Sequence, residues 1–382
     1  MNRRSVSKFS LNLQMGNRAL CLGFAYSLLL IPATLRASTP DHSPSNQVQE
    51  LQEGHPSREA TVLAAKVAES IRTITRERSA AIVRVRCHDG HGEIVGTGFY
   101  LDPTGTIITL AEIVQGAQEI TVEQSGDGGT NKPLPATLTA IDPRSGVAFL
   151  KVTTGAGSDA FLPPLTTITN SPELTPVIGI GYPREGQATP ALGMITGSKN
   201  HEGEIFFCVT HLTASLPLSA GEGGSPILDL SGNLLGIVIA GNTQLGTCTI
   251  LPSAAIEQLH HNLLRYGSIN PGWVGAVVEI AAVPQNDSRT RIVSVAPGSP
   301  AETAGIRPGD MLLMLGKHPI HTPEDVLDAS FYLSGGEEIH VIVLRKGTPQ
   351  DLTLQCGTIP SPGDDLDASA AAPAGLMGTS AH

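Results

Sequence analysis

The sequence has no surplus of positive charge with which to hold a polyanion. Its 382 residues include 24 Lys and Arg against 35 Asp and Glu, a formal net charge of −11 at pH 7. Five of the basic residues fall within the first 37 positions, which leaves 19 for the rest of the chain. Phosphate backbones and anionic lipid headgroups repel a chain with this balance. We therefore expect no nucleic-acid binding and no attachment to an anionic membrane surface.

The sequence also lacks the cysteine density of a disulfide scaffold. It has five cysteines, which are Cys21, Cys87, Cys208, Cys248 and Cys356. Small secreted folds that depend on disulfides carry several closely spaced pairs. Because the chain is long enough for two or three domains, each domain can bury a hydrophobic core of its own.

One polar cluster has the side-chain types of a metal site. In the stretch CHDGHGE, Cys87, His88, Asp89, His91 and Glu93 lie within seven residues. Their spacing matches no structural zinc motif, so we interpret the stretch as an exposed polar turn. We expect neither a metal ion nor another cofactor.

The N-terminal apolar run is too short for a membrane span. It extends over 15 residues, Ala19–Ala33, whereas a spanning helix needs about 18–20. Basic residues precede it, and Ala37 offers a small side chain at a cleavage point. Residues 1–37 are therefore predicted to be a secretory signal peptide, and the mature protein to be periplasmic or extracellular. If the segment stays uncleaved, it would anchor the chain in the membrane.

Two segments lack the pattern of a folded core. Residues 38–57 are polar and contain proline, which predicts a flexible spacer. Residues 358–382 have few bulky apolar side chains, which predicts a disordered tail.

A helix is predicted at the start of the folded part. Within residues 58–76, Leu63, Val67, Ile71 and Ile74 recur at steps of four and three, which is typical of an amphipathic helix. We interpret this helix as packing on its own domain, and a contact between subunits is the alternative.

Two patterns of secondary structure follow. Residues 80–251 alternate short β-rich runs such as AAIVRVRC and VAFLKV with turn residues, which predicts a barrel or sandwich. A helix at 254–264 ends this region. From Trp273 onward, strands surround a helix at PEDVLDASFYL, which has Pro323 in its first turn. This second pattern predicts a compact α+β module of ordinary domain size.

These segments, in this order, resemble an HtrA-type serine protease. The stretches GTGFYLDPTGTIITLAEIV, IDPRSGVAFLKV and GEGGSPILDLSGNLLGIV follow the family's protease domain, and SVAPGSPAETAGIRPGDMLLMLGKHPI follows its PDZ domain. The resemblance implies a mainly β fold: a trypsin-like double β-barrel with an N-terminal helix over residues 58–266, then an α+β PDZ domain over 267–357.

The departures from the family pattern lie at the catalytic positions. The family's general-base His corresponds to Glu112, its orienting Asp to Gly146, and its nucleophilic Ser to Gly223. Glycine supplies no nucleophile, and a carboxylate with an ordinary pKa near about 4.3 is a weak base at neutral pH. The resemblance together with these residues predicts a pseudoprotease.

An active endopeptidase with a rearranged site is the alternative. Ser225, two residues beyond the nucleophile position, is its candidate nucleophile, with His211 or Glu112 as the base. In either case the backbone amides of Gly221 and Gly223 could still accept a peptide carbonyl or carboxylate.

The family fold also implies two expectations outside the triad. Cys208 and Cys248 would lie on neighbouring strands of the second barrel, where they form either a disulfide or two buried thiols. The PDZ loop corresponds to GWVGAV, so Trp273, Val274, Gly275 and Ala276 are the expected peptide-binding positions. Packing between the two domains is the alternative role of Trp273.

The resemblance also implies the class of partner. PDZ domains of this family receive unfolded proteins or peptide C-termini by strand addition. The chain would then act as a chaperone, as a scaffold or as a regulator of an active protease. Homotrimers are common in the family, and a mixed oligomer with an active protease is a further expectation.

Overall fold

A computed structural model describes residues 58–88, 90, 92–124, 133–152, 160–164, 173–202, 205–285 and 288–359. The predicted signal peptide, the spacer and most of the tail lie outside these residues. Thr358, which we assigned to the tail, instead pairs with Gly272 in a short strand.

The first helix, α1 (Arg58–Arg78), has the predicted extent within two residues. Of its apolar face, Ile74 is buried in the core, whereas 64% of Leu63 is exposed. A single 3-10 turn, Ser79–Ala81, leads from the helix into the first strand.

The first barrel closes six antiparallel strands in the order β1-β2-β3-β6-β5-β4. The strands are β1 (Ile82–His88), β2 (Glu93–Tyr100), β3 (Thr106–Leu110), β4 (Glu119–Gln124), β5 (Pro133–Asp142) and β6 (Val147–Val152). A single helical turn, α2 (Ala111–Val114), follows β3 directly. Apolar side chains such as Val85, Ile107 and Leu150 fill the interior because they alternate with outward residues along each strand.

The second barrel repeats this plan in the order β10-β11-β12-β9-β8-β7. The strands are β7 (Pro176–Gly181), β8 (Thr189–Glu202), β9 (Ile205–Ser215), β10 (Pro226–Asp229), β11 (Leu234–Asn242) and β12 (Thr247–Pro252). Helix α3 (Ser253–Tyr266) follows and ends at Gly267, whose φ of 70° lets its N–H bond to the Leu263 carbonyl. Phe99, Phe149 and Tyr182 belong to the largest apolar cluster, which both barrels share.

The third region is an α+β module. Its strands are β13 (Gly272–Trp273), β14 (Ala276–Gln285), β15 (Ser288–Val295), β16 (Met311–Leu315), β17 (His318–Pro319), β18 (Glu338–Arg345), β19 (Thr348–Gln355) and β20 (Gly357–Thr358), and its helices are α4 (Pro300–Thr303) and α5 (Pro323–Phe331). The main sheet has the order β14-β15-β16-β18-β19, with β17 paired to β16, and β13 pairs with β20. Its separate hydrophobic core includes Val341, Val343 and Leu354.

Candidate functional site

The glycine-rich turn between β9 and β10 is tied to both barrels. The Thr97 N–H on β2 donates to the Gly223 carbonyl at 3.0 Å, and the Gly224 N–H donates to the Val238 carbonyl on β11 at 2.9 Å. Thr97 also bridges two further backbone groups, because its Oγ1 donates to the Gly221 carbonyl at 3.1 Å and accepts the Tyr182 N–H at 2.9 Å. These bonds fix the turn against the junction of the barrels.

Glu222 secures the same turn from the inside. Its side chain is buried, one carboxylate oxygen accepts the Thr189 hydroxyl at 2.9 Å, and the other accepts the Ser219 N–H. A buried carboxylate needs such donors because burial without them would be unfavourable. The sequence analysis missed Glu222 and Thr97 as residues that position the turn; the acidic residue inside GEGGSP was the available signal.

The turn presents two amides that have no acceptor. The Ala220 carbonyl is occupied by the Arg184 N–H at 2.8 Å. Among the described residues, no acceptor is recorded for the N–H of Gly221 or Gly223. Gly221 has a φ of 97°, and a Cβ on it would lie 2.6 Å from the Arg184 nitrogen. This position therefore requires glycine, both for its backbone conformation and for lack of space.

The structure brings the three substituted positions together at the end of β3. A Cβ on Gly223 would meet only Leu110 Cδ1, at 3.1 Å, and Leu110 is the residue from which α2 begins. Glu112 lies exposed on α2, and the Ala111 N–H donates to the Gly146 carbonyl at 2.8 Å. These three positions therefore bring no nucleophile and no imidazole to this point.

The peptide-binding loop predicted in the α+β module has a defined backbone shape. The Gly275 carbonyl accepts the Ala296 N–H at 2.8 Å, and the Val274 carbonyl accepts the Ala301 N–H at 2.9 Å. Gly275 has a φ of 81°, and a Cβ there would lie 2.4 Å from the Ser299 Cβ. Trp273 pairs with Gly357, so this end of the loop is held by the last described strand.

Strand β14, which begins at Ala276, leaves one edge open. Of the described strands only β15 pairs with it, so its other side presents backbone groups to an incoming chain. Val277 and Ile280 on this strand are 42% and 62% exposed. An unpaired edge with exposed apolar side chains can receive an extended peptide by strand addition.

Comparison with known proteins agrees with this architecture. Residues 96–237 match the model of the trypsin-like peptidase domain, and residues 291–345 match that of the PDZ domain. The chain is 27% identical over 294 residues to the "Probable periplasmic serine endoprotease DegP-like" of Ectopseudomonas mendocina, with 72% of this chain covered. The corresponding protein of Rhizobium meliloti is 26% identical over 295 residues and covers 73%. The chain is thus similar to HtrA/DegP-type proteases, with a trypsin-like peptidase domain followed by a PDZ domain.

Solved HtrA structures share the fold. The HtrA-type protease AlgW with a tripeptide superposes with a TM-score of 0.60 at 20% identity, over 76% of this chain and 98% of that one. The serine endoprotease from Yersinia pestis gives 0.53 at 22% identity, over 76% and 98%. The fold class predicted from the sequence, a trypsin-like double barrel followed by a PDZ domain, is thus confirmed. The match spans 59% and 55% of the lengths of the two curated relatives.

The Ser225 side chain does not face the site between the glycine-rich turn and the end of β3. It is fully buried, and its hydroxyl donates to the Glu222 carbonyl at 2.6 Å. A Cβ built on Gly181 would lie 2.1 Å from this hydroxyl, so the side chain points towards the end of β7. The geometry gives no support to Ser225 as the replacement nucleophile.

His211, the expected alternative base, is also enclosed. Only 3% of it is exposed, and neither ring nitrogen has a hydrogen-bond partner. Burial, with a smaller contribution from the positive charge of Lys199, lowers the pKa of His211 to about 4. The ring packs edge to face on Phe207 with 4.5 Å between centroids, so Phe207 is its aromatic neighbour on β9.

The cysteines decide between the two alternatives for Cys208 and Cys248 and correct the expectation for Cys87. Cys208 and Cys248 are both free, Cys208 packing on the cluster shared by the barrels and Cys248 lying inside the second barrel, so the disulfide is not formed. Cys87 is buried in the first barrel rather than exposed on a turn, and burial raises the pKa of its thiol to about 11. Asp89 and His91 of the same stretch lie outside the described residues.

Within the described part of the chain, no helix has both the length and the apolar character needed to cross a membrane.

Proposed function

We propose that this HtrA homologue is an exported pseudoprotease that binds unfolded proteins or peptide C-termini through its PDZ domain and does not hydrolyse them. It would serve as a chaperone, as a scaffold or as a regulator of an active protease. The periplasmic designation of its relatives supports export.

The observation that carries this proposal is the state of the nucleophile position. Gly223 adopts an ordinary backbone conformation, and a Cβ on it would meet only the end of the Leu110 side chain at 3.1 Å, so its φ does not require glycine. Acyl transfer through this mechanism needs an oxygen nucleophile and a base that accepts its proton. With Gly223, Gly146 and Glu112 at the three positions and Ser225 turned inward, the described site offers neither.

The retained turn supports binding without turnover. The unpaired amides of Gly221 and Gly223 are donors of the kind that accept a carbonyl or carboxylate oxygen. Since no nucleophile stands beside them, an engaged chain would be held uncleaved. The open edge of β14 and the loop Trp273–Ala276 supply the second contact.

Proteolysis is tested first with casein and the purified mature chain, between mildly acid and alkaline pH, beside Ser225→Ala. We expect no cleavage by either protein. Cleavage by the parent that disappears in Ser225→Ala would overturn the pseudoprotease proposal in favour of a rebuilt site.

Peptide binding is tested by fluorescence anisotropy with an apolar peptide carrying a free C-terminal carboxylate. The same peptide as a C-terminal amide should bind more weakly, because the loop amides pair best with an anion. Val277→Asp should weaken binding of the acid about fivefold, the equivalent of about 1 kcal/mol of charge repulsion.

The matched control is Val293→Asp, which changes a residue of the same type and exposure, 43%, on β15. It should leave the affinity unchanged. Equal affinity for peptide acid and amide, or equal losses in the two variants, would refute the PDZ part of the proposal while leaving the proteolysis result to stand alone.

A further inference from the structure

Among the described residues, His211 on β9 is a buried imidazole without a hydrogen-bond partner, and it lies next to the point where the PDZ helix contacts this strand. His211 lies near the middle of β9, and both of its nitrogens are unsatisfied. Leaving a buried polar group unpaired is unfavourable because its hydrogen bonds to water are lost without replacement. Neutral imidazole tolerates such a site far better than imidazolium does.

The residue before it forms the link to the PDZ domain. Strand β9 pairs with β12 only as far as Leu212, opposite Ile250. Just beyond this point the Thr210 N–H donates to the Asp328 carboxylate of α5 at 2.5 Å. The edge of the barrel strand is therefore occupied by a side chain of the PDZ helix. We call the contact between Thr210 and Asp328, with its surroundings, the β9–α5 junction.

Apolar packing reinforces this junction. Phe331 of α5 belongs to the same buried cluster as Val209 of β9. The Arg144 guanidinium lies over the Phe331 ring, 4.7 Å from its centroid. A displacement of β9 at His211 would thus disturb both the Thr210 hydrogen bond and the packing of Phe331.

The charged groups around the junction are not arranged to stabilise a protonated ring. Lys199, opposite His211 on β8, adds a positive charge. On α5, Asp328 already accepts the Thr210 N–H, and at the end of β5, Asp142 accepts Arg144 and Ser145. His318 of β17 lines the same cleft and interacts with Asp328, and burial lowers its pKa. Glu257 of α3 lines, with Thr210 and Asp328, a cleft of about 730 Å³ that opens beside the junction.

We propose that the β9–α5 junction is an acid-sensitive connection, in which protonation of His211 expels its ring from its buried site and releases the PDZ helix from β9. The cleft lined by Thr210 opens one residue along β9 from His211. Because α5 is part of the PDZ domain, acidification would change how that domain is held and not only how stable the barrel is.

The size of the effect follows from linkage. Burial, followed by Lys199, lowers the pKa of His211 from 6.5 to about 4. A base with a lowered pKa in the closed state stabilises that state above pH 6.5 and loses this contribution as the pH falls towards 4. The opening constant should therefore rise tenfold per pH unit across this range, about 300-fold in total.

Hydrogen exchange at the Thr210 amide measures this opening directly, with intrinsic exchange rates corrected for pH. In the parent, we expect protection to fall steeply between pH 6.5 and 4, while the Val238 amide inside the second barrel stays protected. His211→Phe should abolish the pH dependence, and His211→Leu serves the same purpose if the larger ring disturbs folding.

Two controls separate His211 from other titrating groups. Asp328→Asn keeps an acceptor oxygen for Thr210 but cannot titrate, so the transition should remain at the same pH. His318→Phe removes the histidine that lines the same cleft beside Asp328, keeps an aromatic ring against Tyr332, and should also leave it unchanged. If the transition survives in both His211 variants, or disappears in Asp328→Asn alone, the proposal is wrong and the Asp328 carboxyl is the responsive group.

Discussion

Gly221 and Gly223, both in the glycine-rich turn between β9 and β10, differ in whether the backbone requires glycine. Gly221 is held at a positive φ and packs against the Arg184 backbone, whereas Gly223 has an ordinary φ and a free approach on its Cβ side. The first is therefore a structural requirement of the turn. The second is compatible with a side chain, so its glycine bears on chemistry rather than on folding.

Alanine substitutions should separate the two glycines. Gly221→Ala places a methyl group 2.6 Å from the Arg184 nitrogen and forces an unfavourable φ, so we expect a loss of about 1–3 kcal/mol in the free energy of unfolding. Gly223→Ala should stay within about 1 kcal/mol of the parent, because only the movable Leu110 methyl must adjust. Urea unfolding measures both, and equal losses would contradict this distinction.

A second residue-scale prediction concerns Asp102, which joins the first barrel to α3. Its burial acts to raise its pKa, but hydrogen bonds from Thr104, Thr106 and His260 outweigh this and lower the pKa to about 2. The Nε2 of His260 lies 3.0 Å from the carboxylate. A carboxyl with a lowered pKa stabilises the fold above its unfolded value of 3.8, and this is lost as the pH falls towards 2.

Asp102→Asn should therefore lower the free energy of unfolding at pH 6 by roughly 2 kcal/mol and flatten its pH dependence between 4 and 2. The matched control is Asp351→Asn, which breaks a similar Asp–His pair with His340 at 3.1 Å on the exposed surface. Exposed pairs contribute little, so this variant should behave like the parent. An unchanged acid profile in Asp102→Asn would refute the role of the carboxylate.

At the scale of elements, features that depend on neighbouring residues were predictable from the sequence. Features that depend on contacts between distant segments were not. The start of α5 followed from Pro323 in its first turn with acidic residues beside it, and the structure has Asp325 accepting the His321 and Thr322 N–H groups at 2.8 and 2.9 Å. The inward turn of Ser225 and the burial of His211 could not be predicted, because each depends on strands distant in sequence.

The assignment of Glu112, Gly146 and Gly223 to the triad positions rests on the sequence and stays a prediction. They occupy fixed places in short motifs, so their identities needed no coordinates. What the sequence did not contain was how the turn is held: Thr97 lies more than 100 residues before Gly221, which it binds. Cys208 and Cys248 were assigned to neighbouring strands, but which face of the barrel wall each occupies required the structure.

The cap of α5 yields an element-scale prediction. Asp325→Ala should destabilise the PDZ domain by about 1 kcal/mol and weaken peptide binding, since the first turn of a helix beside the groove loses its acceptor for two backbone donors. Glu324→Ala, one residue earlier, is the control and should change little. Thermal unfolding and the anisotropy assay measure both effects, and equal behaviour of the two variants would contradict the capping role.

At the scale of the whole molecule, the chain has the trypsin-like double barrel, whereas Gly223, Gly146 and Glu112 stand where the resemblance places the nucleophile, the orienting group and the base. Both barrels close, the turn keeps two unpaired amides, and the three triad positions still meet beside Leu110. In a serine protease the backbone supplies the amides that bind the oxyanion and fixes where the triad residues stand. The nucleophile, the base and the orienting group are themselves side chains. Under the pseudoprotease proposal, the change from an active protease would therefore be confined to these side chains.

If that is correct, restoring three side chains should restore cleavage. The variant Glu112→His, Gly146→Asp and Gly223→Ser places a base on exposed α2 and a hydroxyl where the only close contact is Leu110 Cδ1. Gly146 has a φ of 73°, which aspartate tolerates at a cost of about 1–2 kcal/mol. We expect casein cleavage at least about a hundredfold above a control with Ala in place of Ser at position 223, because only the triple variant has an oxygen nucleophile.

The control shares both other substitutions and the strain at position 146, so any difference between the two proteins comes from the hydroxyl alone. A fluorophosphonate should also label the triple variant more than the control. Labelling needs an activated serine and does not need the peptide groove. The triple variant could fold and bind peptide as the parent does, yet neither cleave casein nor react with the label. This result would show that the backbone around positions 112, 146 and 223 no longer supports catalysis. In that event the pseudoprotease proposal stands, and the divergence extends from the side chains to the backbone that holds them.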